Sequence, residues 1–220
     1  MRTDSWTAVM LGAACLICFA AGPQRLAAQK TTEFTPFIGM YFPMMDVLDE
    51  RDVVAAGDRR VVKHNRAVVF GGRVGGTVTD RVLFEAVFGY ASGKGEVVYT
   101  DPSNVETRTE PGASVILASP RVLLTLGRAG RAVTPYFVFG ATVLAHGGEV
   151  YEDLNITDGT TDVGGLIGLS GRFKVGSTLS LRLDAEDYFY NAKFGNTSGA
   201  RSDTRWQHDI VISLGVAIPF

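Results

Sequence analysis

From residue 34 to residue 220, apolar residues alternate with polar or small ones, and no stretch holds a 3.6-residue period. The expected class is therefore all-β. Eight segments carry the alternation: 34–42, 67–77, 82–92, 114–126, 133–145, 163–174, 178–189 and 206–220. Each is long enough to cross a bilayer when tilted. Their connections alternate in length. Those at 79–81, 128–132 and 176–177 are short turns, whereas 43–66, 93–113, 146–162 and 190–205 are long, polar and rich in glycine. An antiparallel up-and-down barrel with both chain ends on the short-turn side produces this pattern. Membrane barrels place short turns in the periplasm and long loops outside.

Separating the two faces of each segment decides what surrounds the barrel. One face carries Val68, Phe70, Val74, Phe84, Phe88, Ile116, Leu124, Phe137, Phe139, Ile167, Leu169, Leu181, Leu183, Ile212 and Leu214, and it is almost free of charge. The other holds Arg73, Glu85, Arg121, Arg172, Arg182, Asp184, Glu186 and Asp209 among Gly, Ser, Thr and Tyr. A soluble barrel would turn the apolar face inward to hold a greasy ligand, and a membrane barrel turns it outward to lipid. A water-facing wall would be rich in Lys and Glu, which this polar face is not, so the expected lumen is the charged one. Tyr41, Phe42, Tyr90, Tyr188, Tyr190 and Trp206 near the long loops, and Phe34, Phe173 and Phe220 at the other end, read as interfacial girdles.

The first 28 residues read as a separate unit. Arg2 precedes an apolar run from Ala8 to Gly22 that ends at Pro23 and a small-residue site at Leu26-Ala27-Ala28. This has the form of a cleaved secretory signal peptide, leaving one barrel domain over 29–220. Cys15 and Cys18 both lie in that leader, so the exported part holds neither a disulfide nor a thiolate metal site. Without the leader the formal net charge is −3, with no basic block, which argues against nucleic acid as a partner.

The last strand, Trp206-Gln-His-Asp-Ile-Val-Ile-Ser-Leu-Gly-Val-Ala-Ile-Pro-Phe220, places Leu214, Val216, Ile218 and Phe220 at alternate positions back from a terminal aromatic residue. It resembles the signal by which outer-membrane proteins are recognised by the barrel-assembly machinery. With the leader and the eight-segment pattern, the whole exported chain resembles the small eight-stranded outer-membrane barrels that include the OmpA transmembrane domain, OmpX, OmpW and the opacity proteins. The resemblance implies an outer-membrane location and a porin-like or OmpA-like architecture. It also implies partners in outer-membrane lipid and lipopolysaccharide, the assembly machinery during biogenesis, and a possible extracellular ligand on a monomer. Such barrels host adhesins, anchors, channels and lipid-modifying enzymes, so fold leaves activity open.

Candidate sites follow from the inward charges. Arg73 and Glu85 on adjoining strands are expected to pair across the strands, and Arg182, Asp184 and Glu186 to line one wall beside Arg172. Arg121 and Asp209 complete four bases and four acids, a self-neutralising plug in a lumen only wide enough for its own side chains. The alternative is a narrow passage for ions or small hydrophobic molecules, with Leu117, Leu123, Val138 and Leu166 as apolar inward residues. A lipid-modifying enzyme would need a nucleophile and base together at a strand end, for example His146 with Ser170 or Asp162. His64 and His146 fall in long loops and His208 on the lipid side, and solvation is their expected state. Carboxylates at Asp46, Asp49, Glu50, Asp52, Asp101, Glu106, Glu110, Glu149, Glu152, Asp153, Asp158 and Asp162 lack a spaced calcium motif and read as a solvated rim. Neither catalysis, nor a cofactor, nor a resident metal is expected. Asn155-Ile-Thr157 and Asn196-Thr-Ser198 match the glycosylation sequon by chance in a bacterial setting.

Overall fold

The computed structural model describes residues 32–46, 48–51, 56–127, 132–152, 161–176, 178–192 and 205–220. The leader, both sequons, Asp52, Asp153 and Asp158 lie outside these residues.

Eight strands form the barrel: β1 (Thr32–Pro43), β4 (Ala67–Thr79), β5 (Val82–Thr100), β7 (Gly112–Thr125), β8 (Val133–Gly147), β9 (Thr161–Val175), β10 (Leu179–Ala192) and β11 (Arg205–Pro219). Three short strands, β2 (Leu48–Arg51), β3 (Arg59–His64) and β6 (Glu106–Thr109), and one turn of helix, α1 (Glu149–Glu152), belong to the long connections. Valine, isoleucine and aromatic residues at every second position suit a pleated wall with two unlike faces. The turn between β4 and β5 reverses the chain tightly, with Thr79 opposite Val82, and Gly176 adopts φ 81°, a left-handed value that a side chain would resist.

Every barrel strand pairs antiparallel with its sequence neighbour in the barrel, and β1 pairs with β11 to close the wall. Closure leaves no free edge in the wall, which is what allows strands to span hydrocarbon. Among the described residues no helix is long and apolar enough to cross a membrane. Phe34, Ile38, Val68, Phe70, Phe84, Phe88, Leu169, Leu183, Ile212 and Leu214 point outward and are exposed, while Arg73, Arg121, Arg182 and Asp184 are fully buried within. The apolar face is thus the exterior. That arrangement rejects the soluble, lipocalin-like alternative, whose exterior would be the polar face.

Two expectations about the periphery change. Among the described residues, the first two long connections contain β-structure where the sequence reads as polar loop: β5 continues past the barrel to Thr100 and pairs with both β3 and β6, and β3 in turn pairs with β2. Their carboxylates are largely engaged. Asp49 is paired with Arg59, Glu106 and Glu96 with Arg108, and Glu110 with Lys94. The upper girdle is also thinner than expected, because Tyr41, Tyr188 and Tyr190 lie inside the lumen. Alternation explains this directly: Tyr188 and Tyr190 share the phase of Arg182 and Asp184, not that of Leu181 and Leu183. Phe189 and Trp206 remain outside, stacked with ring centroids 5.9 Å apart.

Candidate functional site: the filled lumen and its cap

At mid-height, six charged groups from four strands meet across the lumen. Glu85 on β5 accepts hydrogen bonds from Arg121 Nε at 2.9 Å and from Arg182 Nη2 at 3.1 Å, with a further contact from Arg182 Nη1. Arg182 also donates to Asp184 Oδ1 through Nε and Nη2 at 3.0 and 2.9 Å, and to Ser170 Oγ at 3.0 Å. On the far side of Asp184, Arg73 Nη1 lies 3.0 Å from Oδ2 while its Nη2 donates to Ser213 Oγ at 2.6 Å. Arg121 closes the network by donating to Glu186, whose other oxygen accepts from the Tyr188 hydroxyl at 3.0 Å. Three guanidinium groups face three carboxylates. Within the layer the charges cancel.

Wall glycines make room for this layer. A Cβ at Gly75 would stand 2.3 Å from Glu85 Cγ, and one at Gly140 would stand 2.8 Å from Arg121 Cβ. Phe37 covers the network from β1, with Arg73 Cζ 4.1 Å from its ring centroid. Leu117, Leu123, Val138 and Leu166 point inward and are buried as well, packing the space between charged groups.

The remaining predicted charges occupy other levels. Arg172 pairs with Glu33 near the short-turn end, above the Tyr136 ring, and Glu33 is an inward acid that the sequence reading omitted. It shares the phase of Phe37 and Tyr41, so continuing the alternation of β1 by one step would have found it. Asp209 lies toward the long loops, where the hydroxyls of Tyr41 and Tyr190 donate to its Oδ2 at 2.5 and 2.7 Å. The expected cross-strand pair of Arg73 with Glu85 is replaced. Register sets Gly75, not Arg73, opposite Glu85, and in so narrow a barrel the guanidinium reaches Asp184 across the lumen instead. Of the assembly-signal residues, Leu214, Val216, Ile218 and Phe220 all lie exposed on the outside.

The end that carries the long connections is covered by a second cluster. His64 and His146 are buried, not solvated, and their ring centroids are 6.3 Å apart. His64 also meets Tyr41 and Tyr151 at 6.2 and 6.1 Å. His146 Nε2 lies 3.2 Å from the Tyr190 oxygen, and since that hydroxyl spends its hydrogen on Asp209, Nε2 must be the donor. On the other side of the ring, Nδ1 stands 3.6 Å from Asp162 Oδ2. Val62 from β3 and Val150 from α1 are buried with these rings, so the long connections build an apolar lid of their own. The signal was partly present in the sequence: His146 continues the inward phase of Val138, Thr142 and Leu144. His64 had none, because β3 is too short for its phase to be read.

For catalysis these placements matter. Ser170 is bound to Arg182 in the middle layer and is not brought to His146, whereas Asp162 is. His208 stays outside, 3.5 Å from Asp187. Among the described residues no three acidic, histidine or cysteine groups are spaced to hold a metal ion.

No protein-family model and no curated protein matches the sequence. Solved structures do. The outer membrane protein OprG of Pseudomonas aeruginosa matches with a TM-score of 0.55 at 11% identity, over 87% of this chain and 97% of that one. Neisserial surface protein A matches with a TM-score of 0.49 at 9% identity, over 89% and 100% of the two chains. AlkL, solved in lipid bilayers, gives 0.49 at 12% identity over 90% and 95%. Identities this low speak to architecture alone, and the OprG match together with the closed eight-strand wall shows that this chain has the fold of the small eight-stranded outer-membrane β-barrels.

Proposed function

We propose that this protein is a sealed outer-membrane barrel that acts in envelope structure or surface interaction, presenting its extracellular β-extension outside the cell. The observation that carries this reading is the middle layer of three arginines and three carboxylates, which joins β4, β5, β7 and β10 across the lumen. A lumen closed by mutual charge pairing is a brace. Above it, the aromatic lid covers the mouth and β2, β3, β5 and β6 project as a small sheet with mixed charge on its surface. Outer-membrane lipid and lipopolysaccharide would surround the apolar belt, the barrel-assembly machinery would read the outward face of β11, and a ligand, where there is one, would meet the projecting sheet. No catalytic step belongs to this reading, since the buried His146 and Asp162 sit beneath the lid with Ser170 held elsewhere.

A narrow channel is the reading to be tested against it. Purified protein in planar bilayers at neutral pH is expected to give no reproducible single-channel current. A steady unitary current that changes with Arg182→Ala would establish a path through the middle layer and overturn the sealed-barrel proposal.

A further inference from the structure

His64 ends β3, beyond the barrel wall, and faces Gly95 of β5, a position with no side chain to meet it. Its ring is 7% exposed, and neither nitrogen has a hydrogen-bond partner among the described residues. The groups around it come from six elements: Tyr41 on β1, His146 on β8 and Tyr151 on α1 touch its ring, with Tyr190 on β10, Asp209 on β11 and Asp162 on β9 behind them. Lys63 on its own strand pairs with Asp46 3.6 Å away, and opposite it Glu96 pairs with Arg108. Asp58, just before β3, takes the hydroxyl hydrogen of Tyr99 at 2.9 Å. His146 has Asp162 to balance a proton. Among the described residues, no carboxylate lies within ion-pair reach of His64.

We propose that His64 is a proton-sensitive latch: the extracellular lid packs onto the barrel mouth while this imidazole is neutral, and loosens from it when the imidazole is protonated. This deepens the sealed-barrel reading by assigning a control to its outer seal. Burial pushes the His64 imidazolium down from 6.5 to about 4, because the closed lid strips the charged ring of water and no described residue offers it a counter-charge. A lowered pKa in the closed form means that the open form takes up the proton first. The lid is therefore most stable above pH 6.5, and its advantage falls about tenfold per pH unit as the pH drops toward 4, by roughly 300-fold in all.

The test is hydrogen exchange of the protein in lipid nanodiscs at pH 7.5 and 4.5, corrected for the intrinsic pH dependence of exchange. Amides of β3 should lose roughly 50- to 100-fold in protection at the lower pH while those of β8 and β9 in the barrel keep theirs. His64→Phe, which keeps an aromatic ring against Tyr41 and Tyr151 but cannot bind a proton, should hold β3 protected at both. Unchanged protection of wild-type β3, or the same loss in H64F, would overturn the latch. Should H64F itself fail to protect β3 at pH 7.5, His64→Leu serves as the second apolar variant, judged by the same two outcomes. A current through the wild-type protein at pH 7.5 would instead defeat the sealed-barrel reading, so the two failures are distinguishable.

Discussion

Arg182 bonds Glu85, Asp184 and Ser170 in the middle layer from a position with no exposed surface. Removing it leaves Glu85 with Arg121 and Asp184 with Arg73, so that two arginines face three buried carboxylates. Arg182→Ala is therefore expected to destabilise the barrel by about 3–5 kcal/mol, read from the urea unfolding midpoint in lipid vesicles. Adding Glu85→Gln to R182A removes the excess negative charge and should recover part of that loss. The inward orientation of these residues was legible from alternation alone, because parity is a local property of a strand. Their partners were not. Arg182 and Glu85 are 97 residues apart and Arg73 and Ser213 are 140 apart, and pairing over such separations depends on barrel width and strand stagger, which a period of two does not encode.

At the scale of elements, the eight wall strands were readable because each repeats the same apolar phase over many residues. The strands β2, β3 and β6 were not, since four to six residues rich in charge carry too little pattern to separate them from loop. What makes them strands is the continuation of β5 beyond the wall, which supplies an edge on each side to which they add. Val62 is where that extension joins the lid, at 1% exposure. Val62→Asp should bury an unpaired charge there and open the extension without unfolding the wall. Limited proteolysis of proteoliposomes should then cut within residues 43–66 in V62D and not in the wild type, while the wall strands remain protected.

For the whole molecule, the exterior belt determines the environment in which the fold is stable. Ile212 lies near the middle of β11 and points outward among Met40, Leu183 and Leu214, so a charge at this position would have to enter hydrocarbon. Ile212→Lys is expected to cost about 2–4 kcal/mol in bilayer unfolding measurements, whereas a lysine in the projecting sheet should be nearly neutral. The wall also has a seam. Residues of β1 meet those of β11 after almost the entire chain has been laid down, as Tyr41 and Asp209 do across 168 positions of sequence. Every other junction of the wall is a hairpin or a near neighbour and can form as its two strands meet. Only at the seam must the whole remaining chain be held in place first, so the loop-closure entropy is concentrated in one late event. The rate at which the barrel becomes watertight is therefore set by how soon its first strand finds its last.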